Sequence, residues 1–357
     1  MRKKRGRVVA VESLGELDRR LARGTSNLSG WHLHDLDLRE YDEPLRRMKV
    51  AGALFLGCTL SPALEADLRV RGATVFPDIP DVPVNTFRTA LYSPSELYGS
   101  GPYADSLDAQ IYAWSRQSAT PDMRMAQALH DHAVDEALGA WVAGRHVVGV
   151  MGGHAHQRDE VGYRDAVLLG HGLADHATVA TGGGPGAMEA ANLGAWLGSA
   201  DSIEPALDIL RGAPAFRPDI GAWAAAAFAV RDQWPEGRDS LGIPTWHYGH
   251  EPPNAMASTI AKYFRNATRE AILLGLCDRG IVFLPGAGGT VQEIFQDACE
   301  NYYADESSVA PMVLVGRDYW TVQAPAWPLL RSLAKGRPME SYVHLVDTVE
   351  EAVAVIA

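Results

Sequence analysis

The chain of 357 residues lacks several features that would assign it to a broad class. No apolar run approaches the ~20 residues of a membrane-spanning helix, so we expect no membrane partner. Cys58, Cys277 and Cys299 are scattered and form no C-x-x-C pair, which fits a reducing cytoplasm better than a disulfide framework. The net charge of −12 argues against general nucleic-acid binding. The basic start, residues 1–7, lacks the apolar segment of a signal peptide, and we interpret it as a solvated tail.

The chain does contain two glycine-rich turns, each placed between an apolar strand and a helix. PGAGGTVQE occupies residues 285–293, and TGGGPGAMEAANLGA occupies residues 181–195. Such a turn leaves backbone N–H groups free at a helix N-terminus, where the helix dipole also favours an anion. Both turns therefore predict phosphate binding, and the phosphate is expected between residues 182–186 and 288–290. Each motif also carries a glutamate within the first helical turns, Glu189 and Glu293.

Alternation of strands and helices beyond residue 140 predicts an α/β fold: a Rossmann-like doubly wound parallel sheet flanked by helices. Its strands are predicted over 146–151, 177–181, 241–246, 280–284, 311–316 and 343–346, and its helices over 158–172, 187–195, 258–276, 293–303 and from 349 onward. Ligands bind such sheets at the carboxyl ends of the strands, where a third turn, Gly152–Gly153, also lies. We expect a domain of residues 141–357 and, before it, an N-terminal α/β extension of unknown role, residues 1–140. In the extension we predict strands over 52–57 and 73–77, helices over 61–71, 108–116 and 123–143, and no internal repeat.

The paired motifs resemble the signatures GGGxGxMEAxxxGA and PGGxGTxxE of the LOG (Lonely Guy) family. Members are nucleoside 5′-monophosphate phosphoribohydrolases, often mislabelled lysine decarboxylases. The first signature is matched throughout, whereas the second has Ala287 in place of its second glycine. The resemblance covers about residues 140–320, and larger bacterial members similar to purine/pyrimidine nucleotide monophosphate nucleosidases carry extra domains. It implies an N-glycosidic hydrolase of the cytoplasm that needs no cofactor or metal and forms homodimers or larger homo-oligomers.

A catalytic carboxylate and a cation are the first residues to seek in such an enzyme. Glu293 is the expected carboxylate, because an oxocarbenium-like ribose carries positive charge near C1′. The resemblance implies a catalytic arginine on the preceding helix, with Arg269 as the closest match and Arg265 as a competitor; Lys262 would share their helical face. Glu189 is expected either to hold ribose hydroxyls or to brace the two loops. The other predicted substrate-binding residues are Gly152, Gly153, Gly182, Gly183, Gly184, Gly186, Met188, Gly286, Gly288, Gly289 and Thr290.

Several alternatives stay open at the level of sequence. His154 and His156 form an H-x-H pair, but without an acidic or cysteine partner at ligand spacing we expect no metal. Residues 248–254 are either a lid or base pocket, with Asn254 as the best ligand contact, or an ordinary surface loop. A nucleotide sensor without turnover is a second functional hypothesis, suggested by Ala287. A decarboxylase is a third, although neither glycine loop carries the lysine that pyridoxal phosphate needs.

Overall fold

The computed structural model describes residues 9–247 and 251–357. The basic start at residues 1–7 and residues 248–250 of the predicted lid lie outside the described residues. Two compact units make up the chain. The first unit is the chain up to Ala90 together with Arg116–Ala137, and the second is Leu91–Ser115 together with Leu138–Ala357. Within the described residues, no helix is both long and apolar enough to cross a membrane.

The first unit contains a four-stranded parallel sheet whose strands follow one another in chain order. Its strands are β1 (Val9–Val11), β2 (Trp31–His34), β3 (Leu54–Leu56) and β4 (Thr74–Phe76), and its helices are α1 (Leu14–Ala22), α2 (Asp42–Arg46) and α3 (Pro62–Val70). The predicted strands over 52–57 and 73–77, and the helix between them, are confirmed. Strands β1 and β2 were not predicted; in β2 two histidines interrupt the apolar pattern.

This sheet has a regular step that the sequence did not reveal. Val11 pairs with Leu33, Leu33 with Phe55, and Phe55 with Val75, so four buried apolar side chains form one ladder. The first two steps are 22 residues each, and the third is 20 residues. The expectation of no internal repeat is therefore corrected at the level of structure. Gly30, Gly52 and Gly72, each with a positive φ, precede β2, β3 and β4 at the same spacing, so the repeat consists of a glycine and a buried apolar position.

The second unit is built on a seven-stranded parallel sheet in the order β11-β10-β9-β5-β6-β7-β8. The strands are β5 (Val147–Met151), β6 (Thr178–Thr181), β7 (Ser240–Gly242), β8 (Thr259–Ile260), β9 (Ile281–Phe283), β10 (Met312–Val315) and β11 (Val343–Val346). The α-helices are α4 (Pro94–Tyr98), α5 (Leu107–Ser115), α6 (Pro121–Val142, which begins in the first unit), α7 (Val161–Leu173), α8 (Ala187–Trp196), α9 (Ile203–Leu210), α10 (Ile220–Gln233), α11 (Asn266–Gly275), α12 (Gly288–Tyr303), α13 (Ala326–Ala334) and α14 (Val349–Ile356).

The strand order confirms the predicted α/β class and fixes where a ligand is expected. From β5 the chain adds β6, β7 and β8 on one side and then β9, β10 and β11 on the other. The direction of winding therefore reverses between β5 and β9, whose last residues, Met151 and Phe283, are paired. Ligands of doubly wound sheets bind in the crevice at this switch point. The Gly152–Gly153 turn and the PGAGGTVQE motif follow these two strands.

The helix predicted over 258–276 is wrong in its first half. Residues Thr259–Ile260 form β8, which pairs with β7, and the helix that follows spans only Asn266–Gly275. Arg265 is the N-cap of that helix, with extended backbone, so Lys262 and Arg265 do not share a helical face with Arg269. β-branched and aromatic residues around this position suit a strand, and sheet pairing outweighs the helical spacing of the cations. The strand predicted over 241–246 is also shorter than expected and ends before Pro244, which lacks an N–H for the ladder.

The division of the chain differs from the boundary expected near residue 140, because Leu91–Ser115 belongs to the second unit. Asp108 on α5 accepts hydrogen bonds from Lys262 Nζ at 2.5 Å and from Trp246 Nε1 at 2.9 Å. The side chains of Asp108 and Lys262 are only 3% and 1% exposed. Residues 154 positions apart in the chain are thus joined in a buried ion pair. The predicted helices over 108–116 and 123–143 are confirmed as α5 and α6.

Candidate active site

The three glycine turns meet at the switch point of the second sheet. Gly153 N donates to Pro285 O at 3.2 Å, and Ala187 N donates to Gly153 O at 3.1 Å. A Cβ atom on Gly286 would lie 2.2 Å from Thr290 Oγ1 and 3.0 Å from Gly153 N. On Gly186 it would lie 2.7 Å from Gly153 O. Glycine is therefore favoured at Gly186 by close approach of backbone to backbone, and at Gly286 by close approach of the Thr290 side chain.

A cavity of about 550 Å³ opens at this edge of the sheet. Its size lies within the ~300–1,000 Å³ that is typical of small-molecule sites. The cavity brings together eight of the predicted site residues: Gly152, Gly153, Met188, Arg269, Gly286, Gly289, Thr290 and Glu293. It is also lined by residues that were not predicted as site residues, namely Met151, His154, Ala155, His156, Glu251, Glu270, Pro285, Ala287, Gln292 and Tyr319.

The remaining predicted residues do not line this cavity. Gly182 and Gly184 line a smaller space beside it, together with Met188, Glu251 and Arg269. Gly183 and Gly186 both have a φ of +71°, which only glycine adopts readily, and so they shape the turn itself. Gly288 is the first residue of α12, and Arg265 is exposed at the start of α11.

The N-terminus of α12 forms one wall of the cavity. The helix begins at Gly288, and no side chain of the described residues caps it through a hydrogen bond. Its first N–H groups belong to Gly288, Gly289 and Thr290, and the last two residues line the cavity. Uncapped N–H groups together with the helix dipole favour an anion at this place. Ala287, at the N-cap, has a φ of −89°, so the alanine there is unstrained.

Arg269 and Glu293 face one another in the cavity without a hydrogen bond. Arg269 Nη1 lies 3.9 Å from Glu293 Oε1, and the two side chains are 9% and 14% exposed. A Cβ on Gly182 would lie 3.4 Å from Arg269 Nη1, so the TGGG turn also approaches the guanidinium. Arg269 Nε is buried and has no hydrogen-bond partner among the described residues. A buried donor without an acceptor costs about 1–3 kcal/mol, which a polar or anionic ligand would relieve.

The pKa of Glu293 is raised from 4.5 to about 7. Burial is the main cause, the nearby charge of Glu270 adds to it, and Arg269 opposes it. At neutral pH the side chain therefore exists in both charge states. A carboxyl group whose pKa lies near the working pH is suited to proton transfer and to stabilisation of a developing cation.

The second glutamate of the paired motifs, Glu189, is used inside the protein. Its carboxylate is fully buried and accepts from Arg158 Nη2 at 2.5 Å, from Arg158 Nε at 3.1 Å and from the Tyr163 hydroxyl at 3.0 Å. Arg158 also lies over the ring of Trp223, 4.7 Å from its centre. Of the two roles expected for Glu189, this geometry favours bracing of the turn, since the carboxylate does not line the large cavity.

Asn254 was expected as a ligand contact, but its side-chain amide is fully occupied within the protein. Asn254 Nδ2 donates to Gly184 O at 3.0 Å and to Asn192 Oδ1 at 3.2 Å, and Asn254 Oδ1 accepts from Ala257 N at 2.9 Å. The backbone N–H of Asn254 donates to Gly183 O at 2.8 Å. The residue is fully buried and holds the TGGG turn in place.

Four polar residues of the cavity have no role in the predicted motifs. Glu270 and Gln292 are direct neighbours of Arg269 and Glu293, and this adjacency is the signal that would have found them. Glu251 belongs to the segment 248–254, one of whose two interpretations was a lid or base pocket. Tyr319 comes from a distant part of the chain and leaves no such signal; its hydroxyl donates to Gly286 O at 2.8 Å.

The two histidines of the H-x-H pair also line the cavity. His154 Nδ1 lies 3.8 Å from Glu251 Oε1, and His156 Nδ1 lies 3.1 Å from Glu160 Oε2. Among the described residues, no group of three histidine, cysteine or acidic side chains is arranged to hold a metal ion. Both histidines contribute polar ring nitrogens to the cavity wall.

No protein-family model and no curated protein matches this chain. Solved structures do resemble it. A molybdenum cofactor binding protein from the phototrophic bacterium Rippkaea orientalis is 18% identical over 59% of this chain and 95% of its own, with a TM-score of 0.37. The molybdenum cofactor carrier protein of Chlamydomonas reinhardtii is 19% identical over 59% of this chain and 96% of its own, with a TM-score of 0.35.

Proposed function

We propose that this protein hydrolyses the N-glycosidic bond of a nucleoside 5′-monophosphate and releases the free base and ribose 5-phosphate. The observation that carries the proposal is the placement of Glu293 and Arg269 in one cavity with the uncapped N-terminus of α12. The resemblance of the two motifs to the LOG signatures supports the same reaction. The proposal also includes that the protein acts in the cytoplasm and that it forms a homodimer or a larger homo-oligomer.

In this proposal the substrate phosphate binds at the start of α12. The N–H groups of residues 288–290 and the hydroxyl of Thr290 donate to its oxygens, and the helix dipole adds to the attraction. Glu293 lies three residues beyond Thr290, an axial rise of about 4.5 Å. The distance from a 5′-phosphate to C1′ of the same ribose is of similar order. Glu293 is therefore suitably placed to act near C1′ of a ribose whose phosphate sits at the helix end.

The reaction breaks the bond between C1′ and the base nitrogen, and its electron pair leaves with the base. The positive charge that develops at C1′ is stabilised by the ionised Glu293 carboxylate. Water then adds its hydroxyl to C1′, and its proton ends on the departing base nitrogen. Arg269, with an unused buried Nε, donates either to the phosphate or to the leaving base.

A panel of nucleoside monophosphates, with released base and ribose 5-phosphate separated by chromatography, tests the proposal. At least one nucleotide is expected to give both products in equal amounts. Glu293→Gln and Arg269→Ala should each abolish release, whereas Glu300→Gln, farther along α12 and outside the cavity lining, should not. Failure of every nucleotide to yield base, or full activity of Glu293→Gln, would contradict it.

The same experiment separates the two alternatives. Tight nucleotide binding without ribose 5-phosphate would select the nucleotide sensor. A decarboxylase would require a lysine for pyridoxal phosphate. None of the described residues that line the cavity is a lysine, and Lys262 is buried in its ion pair with Asp108.

A further inference from the structure

Asn266, Glu270 and Gln292, none of which is a fixed position of the two motif signatures, form a network beside Arg269 and Glu293. Glu270 on α11 is buried, with 5% of its side chain exposed. Its Oε1 accepts from Asn266 Nδ2 at 2.7 Å, and its Oε2 accepts from Gln292 Nε2 at 2.5 Å. Asn266 Oδ1 in turn accepts from Arg269 Nη2 at 3.1 Å. The network joins the helix of the arginine to the helix of the catalytic carboxylate.

We propose that Glu270 is a positioning residue for the reaction, which sets the direction of the Arg269 guanidinium and holds the first turns of α12 against α11. The inference rests on the proposed function, because its consequence is a rate. Glu270 acts through its neighbours: through Asn266 on Arg269, and through Gln292 on the turn that carries Glu293. No contact of Glu270 with the substrate is needed.

The network requires an acceptor at both oxygens of residue 270. An ionised carboxylate only accepts hydrogen bonds, so each of the two amides must turn its NH₂ group towards it. Asn266 is then left with its oxygen towards Arg269 Nη2, which is a donor. If Asn266 turned its amide around, two donors would face each other. A glutamine at position 270 has one acceptor oxygen and one NH₂ group, so one of the two amides would have to turn.

Glu270 also contributes charge to the site. Its Oε1 lies 4.0 Å from Arg269 Nη2. Burial is the main cause of the raised pKa of Glu293; Arg269 lowers that pKa, and the charge of Glu270 raises it. The other titratable groups that line the cavity are Glu251, His154, His156 and Tyr319. Loss of the Glu270 charge is therefore expected to lower the pKa of Glu293. The rising limb of a rate profile that requires ionised Glu293 would then move to lower pH.

Glu270→Gln tests the role, with Glu300→Gln as the matched control. For the nucleotide that the panel identifies, we expect kcat to fall about 10- to 100-fold while KM changes by less than about threefold, the pattern of a displaced catalytic group. The acid limb of the pH profile should move to lower pH. Unchanged kcat together with an unchanged pH profile would overturn the proposal.

A double variant guards against a trivial folding defect. In the double variant Asn266→Asp with Glu270→Gln, the carboxylate at position 266 accepts hydrogen bonds from the amide at position 270 and from Arg269. The network therefore forms again, with its negative charge moved from position 270 to position 266, one helical turn away. We expect this double variant to recover at least about tenfold of the kcat lost in Glu270→Gln. A double variant that folds yet is no more active than Glu270→Gln would contradict the positioning role.

A second readout does not depend on turnover. Titration of the Glu293 carboxyl carbon by NMR, in the full-length protein without substrate, should give a lower midpoint in Glu270→Gln than in the parent protein. An identical midpoint would argue against the electrostatic part of the inference. If the nucleotide panel yields no product but the midpoint shifts, the proposed function fails while the coupling between Glu270 and Glu293 stands.

Discussion

At the scale of single residues, burial of Glu293, the proposed catalytic carboxylate, makes its charged form unfavourable to stability. Burial raises its pKa to about 7, above the ordinary value of 4.5, because the charged form is poorly solvated. The folded protein thus binds the Glu293 proton more tightly than the unfolded chain does. Its contribution to stability is fully present below about pH 4.5 and is lost as the pH rises through about 7.

Glu293→Gln should therefore stabilise the protein at alkaline pH while it abolishes turnover. The free energy of unfolding of the variant minus that of the parent should be larger at pH 8 than at pH 4.5, by up to about 3 kcal/mol. Urea unfolding at the two pH values measures the difference. Glu306→Gln, a change at an exposed position beyond the end of α12, serves as the control. A gap that is the same at both pH values would contradict the assignment of the raised pKa.

Ala287 is the residue at which the chain departs from the LOG signature, and its φ of −89° shows no need for glycine. Ala287→Gly should therefore give no increase in base release. Its added freedom in the unfolded chain should lower the free energy of unfolding by about 0.4–1 kcal/mol. Initial rates and urea unfolding of the two proteins test this. A clear gain in rate would restore Ala287 as a reason for impaired turnover.

At the scale of elements, the glycines at the start of α12 differ in how closely they approach other atoms. A Cβ on Gly286 would lie 2.2 Å from Thr290 Oγ1, whereas a Cβ on Gly288 would meet nothing within 4 Å. Gly286→Ala is expected to lower the free energy of unfolding by about 1–3 kcal/mol through overpacking and to weaken binding of ribose 5-phosphate. Gly288→Ala should leave stability within about 0.5 kcal/mol.

Thermal unfolding and calorimetric titration with ribose 5-phosphate compare the two variants. Equal loss of stability in both would show that the contact of Gly286 with Thr290 is not the cause. Equal binding by Gly286→Ala and the parent would argue against phosphate at this helix end.

Comparison of predicted and observed elements shows which sequence patterns were sufficient to predict a strand or a helix. Strands β5, β9 and β10 were predicted because each is an apolar run, as expected for a parallel sheet that is buried on both faces, and β6 (TVAT) was predicted as the strand that leads into the TGGG turn. The helix over 258–276 was wrong because the spacing of Lys262, Arg265 and Arg269 fits a helical face equally well in a segment whose first part pairs with β7. Spacing alone does not indicate whether a neighbouring strand is available.

At the scale of the whole molecule, a buried ion pair fixes the segment Leu91–Ser115 to the second unit. Removal of one charge leaves the other buried and unpaired, so Lys262→Met is expected to lower the free energy of unfolding by about 3–5 kcal/mol. Addition of Asp108→Asn should recover much of this loss, because no buried charge remains. Unfolding of the two single variants and the double variant by urea gives the coupling. Additive losses would contradict a direct interaction.

The sequence by itself determined the α/β class, the glycine turns and the candidate pair of Glu293 and Arg269. These features are local: an apolar run, a turn that only glycine fits, and a carboxylate at a fixed distance along one helix. The tertiary structure alone decided that Glu189 is paired with Arg158, that Asn254 holds the TGGG turn, and that Glu270 is bonded to Gln292 beside Glu293. The partners of Glu189 and Asn254 lie 31 and 70 residues away. Local sequence sets backbone geometry, but the acceptor that a buried donor meets is set by packing of distant segments.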